Sequence, residues 1–377
     1  MNSSALNRSV APLFANVDGV LLLLAWALML TGFVAVTSAT VEFSSHHSSR
    51  HLIYLVLAMG AALLVFVTPP QFWLDTGWVW FFLALILLIL VLTPGIGIMV
   101  NGSRRWLSVG PVTLQASEFA KLFLIIYLAG YLVRQEEQLR SHWSGFAKPV
   151  LAVFAITLLL MAEPDFGATV VTGGVAFGML FLAGVRLGHF ILVILGSVLA
   201  LILAVVAKSY RIDRLTGYTD PWADPFNTGY QLLNSLIAIG RGEWLGVGLG
   251  NSVQKLFYLP EAHTDFVFSI WAEETGLIGA CLVVFLYLAL VLRIFRCARS
   301  SRRAGDRFGA HICHGVAIIF AAQVFINIGV STGLLPTKGL TLPLFSYGGS
   351  SLISCCCMLA LVLRIDRQRR VGAAHES

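Results

Sequence analysis

Charged residues are scarce in this chain. Only 12% of its 377 residues are Asp, Glu, Lys or Arg, while 58% are hydrophobic and the mean hydropathy is +0.84. An ordinary soluble domain is about 25% charged. Uninterrupted apolar runs close to twenty residues long recur along the chain, and this pattern predicts membrane-spanning helices. Because the runs do not alternate between polar and apolar residues, they do not favour strands of a membrane barrel.

The chain also has few cysteines outside apolar sequence. All six lie in or near apolar segments, three of them consecutive at 355–357. A disulfide framework is therefore not expected. Three successive residues point in different directions around a helix, so small apolar packing explains this triplet better than metal binding. No cleavable signal is expected either, because the first apolar run, 17–39, is too long and its flank carries only Arg8.

The distribution of arginine sets the expected topology. The segment 293–309 contains six arginines, and the tail that begins near residue 364 is also basic. An arrangement of ten spans puts the segment 293–309, the basic tail and the loop 134–148 in the cytoplasm, as the positive-inside rule requires. Both termini then lie in the cytoplasm as well. The same charges attract anionic lipids, and nucleic-acid binding is not needed to explain them. The sequence thus predicts an all-α, polytopic protein with spans near 17–39, 52–68, 76–93, 116–133, 149–162, 166–185, 188–207, 266–292, 310–333 and 347–363.

A long segment on the outer side, 208–265, separates predicted helices 7 and 8. It begins polar, and its stretch near 229–240 is apolar but too short to cross a bilayer, which favours a re-entrant or interfacial helix. Gly246, Gly248 and Gly250 follow without the strand and helix that a nucleotide-binding motif requires. They favour a backbone that approaches a ligand or a helix closely.

Acidic residues gather where this segment enters the eighth span. Asp265 stands at the start of the apolar run and fits either a helix N-cap or a functional carboxylate. Glu273 and Glu274 lie about 12–14 Å deeper along a helix. Ionisable groups at that depth face a cavity or a helix partner. Glu118 and Lys121 share one face of the fourth span, which predicts an intramembrane ion pair.

Basic and aromatic residues stand near the same surface. Arg104 and Arg105 precede the fourth span and fit either snorkelling at the interface or contact with an anion, and Trp106 fits an aromatic belt. His263 has no third ligand nearby that would complete a metal site. The residues alone therefore favour an enzyme acting on a lipid-borne anionic substrate, or a transporter.

Four stretches, read together, resemble the SEDS family (shape, elongation, division and sporulation) and most of all its cell-division members. They are NGSRRWLSVGPVTLQASEFAKL, EPDFGAT, the long stretch from QLLNSLIAIG to AEETGLIG, and GLLPTKGLTLPLFSYGGSSL. Glu163 is a departure, because many members carry Gln there. The resemblance covers nearly the whole chain and implies one membrane domain, 1–377, with a periplasmic loop at 208–265.

The resemblance implies a peptidoglycan glycosyltransferase that polymerises lipid II, with Asp265 as the catalytic carboxylate. We expect substrate binding by Arg104, Arg105, Trp106, Lys255 and His263, with positioning of the loop as the alternative for the two arginines. We expect a structural polar cavity formed by Glu118, Lys121, Glu273 and Glu274. A lipid II flippase and a scaffold of the division machinery are the alternatives. Asp265 at an outer helix end favours the polymerase, because transporter sites lie near the midplane.

The same resemblance implies the partners and the location. The partners are a cognate class B penicillin-binding protein of the FtsI type, membrane lipids, and division activators such as FtsQ–FtsL–FtsB and FtsN. The location is the bacterial inner membrane at the division septum. No metal site is expected from ligand spacing, although a divalent cation, Mg²⁺ or Mn²⁺, is chemically reasonable beside a pyrophosphate.

The topology can be tested with single cysteines in a Cys-free background. We expect a membrane-impermeant thiol reagent to label Asp220→Cys but not Arg303→Cys in intact spheroplasts, because the arginine-rich loop stays inside. Both positions should react after permeabilisation. Labelling at 303 but not at 220 would contradict the ten-span arrangement.

Overall fold

The structure, a computed structural model, describes residues 16–40, 46–100, 103–110, 112–206, 217–256 and 258–376. The predicted cytoplasmic N-terminus and the part of the 208–265 loop before residue 217 lie outside these ranges. Thirteen helices are found in the described residues: α1 Gly19–Ala39, α2 His46–Val67, α3 Pro70–Asp75, α4 Gly77–Leu92, α5 Ala116–Arg134, α6 Glu136–Ser141, α7 Trp143–Ala162, α8 Phe166–Leu182, α9 Leu187–Val206, α10 Tyr230–Gly242, α11 Val267–Arg303, α12 Arg307–Ser331 and α13 Gly349–Glu376.

Each of the ten predicted spans coincides with one of these helices, and seven of them are long and apolar enough to cross a membrane. Three shorter apolar helices occupy 51–67, 77–92 and 166–182, so the count of ten spans stays a prediction. The fifth predicted span was too short. Helix α7 has 20 residues and continues through Pro149, because the polar residues before this proline lower the hydropathy without ending the helix.

The all-α prediction was incomplete, because the chain also forms a small antiparallel sheet. Strands β1 (Gly97–Val100), β2 (Ser103–Val109) and β3 (Val112–Gln115) pair in the order β1-β2-β3. Each strand has only four to seven residues, too few for a clear alternating pattern. The sheet runs directly into α5, and the Gln115 amide donates a hydrogen bond to Ser350 Oγ in the first turn of α13 at 2.8 Å. The sheet thereby links the starts of two helices.

The helices differ in how far the protein itself surrounds them. Helix α5 is buried along most of its length, and α13 packs along α2 while α11 packs along α12. Helix α9, by contrast, has no buried residue. Its exposed side chains are almost all apolar, as expected for a helix that faces lipid.

The long helix α11 is interrupted at Gly276, whose φ is +69° and ψ −168°. The backbone of the preceding loop lies against this break. Val247 N donates to Glu273 O at 3.0 Å, and Leu277 N donates to Glu243 O at 2.8 Å. A Cβ on Gly276 would overlap the backbone nitrogen of Gly246. The glycine-rich loop therefore approaches a helix, one of the two arrangements expected from its sequence, and it supplies hydrogen bonds that the kinked helix cannot form itself.

We expect Gly276→Ala to destabilise the protein by at least about 1–3 kcal/mol, because alanine is strained at positive φ and its methyl group would overlap the loop backbone. The measurement is the thermal unfolding midpoint of the detergent-solubilised protein. The matched control is Gly240→Ala in α10, where a Cβ meets no atom within 4 Å. Equal midpoints for the two variants would contradict this account of the kink.

Candidate active site

Asp265 lies just before α11 and is half-buried. The helix starts at Val267 with Phe266 as its N-cap, and no side chain caps it. Asp265 is therefore not the N-cap of α11. The backbone carbonyl of Asp265 accepts a hydrogen bond from Asn327 Nδ2 at 2.8 Å, and the same amide nitrogen donates to Leu340 O at 2.6 Å. Asn327 thus fastens the segment before α13 to the start of α11.

The Asp265 carboxylate faces that segment. A Cβ on Gly339 would lie 2.8 Å from Asp265 Oδ2, so a larger residue there would displace the carboxylate. Lys338 immediately precedes Gly339, and its ammonium lies 4.4 Å from the centroid of the Phe166 ring at the start of α8. The arrangement brings a carboxylate and a lysine from distant parts of the chain to one place. Sequence reasoning missed Lys338, although it stands in the motif LPTKGL that carried the resemblance.

The predicted trio 104–106 lies at an irregularity of the sheet. Ile98 of β1 pairs with Trp106 and Met99 pairs with Arg104, so Arg105 is an extra residue on β2. Arg105 donates hydrogen bonds to the carbonyls of Glu163 at 3.3 Å and Pro164 at 2.7 Å. Its guanidinium therefore holds the turn between α7 and α8, which argues for a structural role rather than the predicted contact with substrate.

The turn held by Arg105 contains two acids in different surroundings. Asp165 caps α8, accepting from Ala168 N at 3.1 Å, and it also accepts from Ser117 Oγ at 3.4 Å. Glu163 is 1% exposed, and neither of its carboxylate oxygens has a hydrogen-bond partner among the described residues. Burial first, and then the charge of Asp165, raises the pKa of Glu163 to about 8, although Arg105 opposes the shift. Glu163 therefore carries a proton at neutral pH.

His263 is held by aromatic packing rather than by other metal ligands. Its ring lies 5.6 Å from that of Tyr347, and its carbonyl accepts from Tyr347 N at 3.0 Å. Tyr347 in turn lies 5.5 Å from the ring of the buried His51. His263 is half-buried and two residues from Asp265. It is thus close enough to the site to help position a substrate.

Lys255 does not fit the substrate-binding role expected of it. It is 5% exposed, and its ammonium donates to Glu274 Oε1 at 3.0 Å, Ser38 Oγ at 3.2 Å and Gly250 O at 2.6 Å. Three acceptors use the three N–H groups of an ammonium. Ser38 also donates to both carboxylate oxygens of Glu274, at 2.6 and 2.7 Å. Lys255 therefore joins the loop to α11 and α1.

Glu273 anchors the same loop from the neighbouring position. Its carboxylate, fully buried, accepts from Arg241 at 3.2 Å, from Val253 N at 3.1 Å and from the Ser252 hydroxyl. Glu273 and Glu274 were expected to line a polar cavity. The structure instead surrounds them with protein donors, among which Arg241 and Ser252 were not anticipated from sequence.

Glu118 and Lys121 form the ion pair that their spacing predicts. Lys121 Nζ lies 2.7 Å from Glu118 Oε1, and both side chains are buried on α5. Lys121 also lies beside Thr172 of α8 and Ile319 of α12. The pair therefore sits among packed helices, away from open solvent. Removing one partner would leave a buried charge uncompensated.

Within the described ranges, one group of three potential metal ligands comes together: Asp18, Cys297 and Asp366. It lies roughly 45 Å along α11 from Asp265. Its carboxylates are paired with arginines, since Asp18 accepts from Arg293 at 2.7 Å and Asp366 is bound by Arg370. These pairs join α1, α11 and α13 and leave the group with cationic rather than metal partners.

The chain is similar to known proteins over nearly its whole length. Residues 19–371 match the family of FtsW, RodA and SpoVE, described as cell cycle proteins. The chain is 50% identical to the probable peptidoglycan glycosyltransferase FtsW of Hahella chejuensis, covering 93% of this chain and 90% of that one. It is 51% identical to the protein of the same name in Nitrosococcus halophilus, covering 91% and 90%.

Two solved structures share the fold. One belongs to a study of the structural coordination of polymerization and crosslinking by a peptidoglycan synthase complex. Its TM-score is 0.79 at 32% identity, covering 94% of this chain and 99% of that one. The other is the rod shape determining protein RodA of Thermus thermophilus. Its TM-score is 0.71 at 29% identity, and the match covers 94% of this chain and 98% of that one.

The protonated state of Glu163 makes stability depend on pH. Because its pKa is raised in the folded protein, the folded state holds a proton that the unfolded state releases near pH 4.5. The free energy of unfolding should therefore fall by up to about 1.4 kcal/mol per pH unit as pH rises toward 8, and level off above it. Glu163→Gln should lack this loss. The measurement is the unfolding midpoint of both proteins from pH 5 to 9.

The matched control is Glu137→Gln, which changes an exposed glutamate and should give a curve parallel to that of the unmodified protein. Parallel curves for Glu163→Gln as well would show that Glu163 is ionised throughout this pH range.

Proposed function

Because this chain belongs to the family of FtsW, RodA and SpoVE cell cycle proteins, we propose that it is the peptidoglycan glycosyltransferase of septal cell-wall synthesis and polymerises lipid II into glycan strands. The resemblance inferred from the motifs is confirmed by the family match. The enzyme class agrees with the names of relatives about 50% identical over nine-tenths of the chain.

The observation that carries the mechanism is the setting of the Asp265 carboxylate. It is half-buried at the start of a helix, against Gly339 and near Lys338. In glycosyl transfer from a polyprenyl pyrophosphate, an acceptor hydroxyl attacks the anomeric carbon. The new C–O bond forms as the bond to the pyrophosphate oxygen breaks. Asp265 would take the hydroxyl proton as general base.

The leaving pyrophosphate requires cations, and two basic residues are candidates for this role. Lys338 lies beside the Asp265 segment, and Arg104 precedes the protein-bound Arg105 on β2. Cations at these positions would stabilise the negative charge that develops on the leaving group. Trp106 follows Arg105 on β2, and His263 lies two residues from Asp265. These two residues would contact the sugar or the lipid near the membrane surface.

Transport of lipid II fits the site less well. Transporter sites lie near the bilayer midplane and are formed by broken helices. The broken helix here is α11, but the carboxylates at its break are occupied by Arg241, Ser252 and Lys255. Asp265 instead stands at the helix end, where substrates anchored by lipid tails would meet it.

Assembly and location follow from the same family. A similar fold occurs in a peptidoglycan synthase complex that couples polymerization to crosslinking. The corresponding partner would be a class B penicillin-binding protein of the FtsI type, with FtsQ–FtsL–FtsB and FtsN as activators. The protein would lie in the inner membrane at the septum, with both termini in the cytoplasm and 208–265 in the periplasm.

Asp265→Asn tests the catalytic assignment. Asparagine keeps the size and polarity of the side chain but cannot act as a base, so we expect the variant to fold and to lose at least about 10²–10⁴-fold in polymerisation rate. The assay uses the purified protein with its penicillin-binding partner and labelled lipid II, and the glycan strands are resolved by electrophoresis.

The control is Glu261→Gln, which changes an exposed acid in the same loop and should polymerise at the normal rate. Near-normal glycan synthesis by a folded Asp265→Asn protein would falsify the role of Asp265 as base.

A further inference from the structure

A cavity of about 330 Å³ lies at the end of the bundle far from Asp265. It opens between the C-terminal ends of α5, α8 and α11 and the first two turns of α12. Its polar lining is Glu136, Arg302, Arg307, His311 and His314, and the remainder is apolar. Ligand pockets in proteins span about 300–1,000 Å³. This cavity is therefore large enough for a small charged headgroup but not for a disaccharide-peptide.

The lining carries a surplus of positive charge. Arg307 is paired with Glu136, which cancels one of the two arginine charges. Arg302 is exposed at the mouth, and no carboxylate in the described part of the chain forms a salt bridge with it. One cationic guanidinium at the entrance thus remains available to an anion from outside the protein.

The inner wall offers further donors. His311 and His314 stand one turn apart on α12 with ring centroids 6.4 Å apart. Both residues line the cavity, and their Nδ1 atoms are buried away from it. The Nε2–H group of each ring could therefore donate to the oxygens of an anion bound there.

We propose that this cavity binds the phosphate of an anionic phospholipid headgroup in the cytoplasmic leaflet. The arginine distribution places 293–309 in the cytoplasm, where anionic lipids concentrate and where basic pockets between membrane helices take lipid headgroups. The cavity joins four helix ends, so an occupied site would link α11, which Asp265 precedes, to α5, α8 and α12. The site is separate from the lipid II chemistry and does not depend on it.

The test is lipid binding by the full chain in a neutral detergent, measured as the rise in thermal unfolding midpoint during titration. Dioleoylphosphatidylglycerol should raise the midpoint saturably, and dioleoylphosphatidylcholine should not. Arg302→Gln should raise the half-saturating concentration of phosphatidylglycerol about tenfold, because it removes a charge-assisted hydrogen bond. Arg303→Gln, a change of the adjacent exposed arginine that does not line the cavity, should shift it less than twofold.

A second variant probes the inner wall, and a second ligand probes the source of the phosphate. His314→Phe keeps an aromatic ring but removes both nitrogens, so it should weaken phosphatidylglycerol binding as well. Inorganic phosphate is titrated in parallel. An Arg302-dependent rise with inorganic phosphate but not with phosphatidylglycerol would assign the cavity to a free phosphate and overturn the lipid proposal. If Arg302→Gln and Arg303→Gln weakened phosphatidylglycerol binding equally, binding would depend on diffuse surface charge, and the proposed site would be overturned.

Discussion

The geometry around Asp265 depends on two adjacent carboxylates, Glu273 and Glu274. They stand side by side on α11 but point in different directions. Glu273 holds Arg241, the Ser252 hydroxyl and the Val253 amide, and Glu274 holds Lys255 and Ser38. Removing one partner from a buried ion pair typically costs about 3–5 kcal/mol. The loop leads into α11 through Asp265. These ion pairs therefore set the position of the Asp265 carboxylate relative to the segment that carries Lys338.

The break in α11 makes this anchoring feasible inside a membrane protein. In a low-dielectric setting every buried N–H and C=O group needs a partner. At Gly276 the helix releases carbonyls, and the glycine-rich loop supplies the N–H groups of Val247 and Gly248 to Glu273 and Glu274. Backbone bonding and carboxylate bonding therefore converge on the same two residues. The loop is thereby fixed against α11 in the helix bundle.

The helices were predictable because an uninterrupted apolar run of about twenty residues matches the length of a membrane-spanning helix. The Glu118–Lys121 pair was predictable because its partners are three residues apart. The sheet was not, since its strands are too short to show a period. The buried contacts of Lys255 were not predictable, because its partners Glu274 and Ser38 are 19 and 217 residues away. Lys338 was missed for the same reason. Neither contact leaves a local pattern in the sequence, because each arises only when helices pack.

The acids of this chain differ in function because they differ in burial and in surroundings. Glu273, Glu274 and Glu118 are buried with lysine or arginine partners, and their negative charge stabilises the fold. Glu163 is buried, its oxygens have no hydrogen-bond partner in the described part of the chain, and it keeps its proton. Asp265 alone among these five acids is half-buried at a helix start that it does not cap. A base must reach its substrate as well as carry charge, and of these five carboxylates only that of Asp265 combines access with a setting near a lysine from a distant part of the chain.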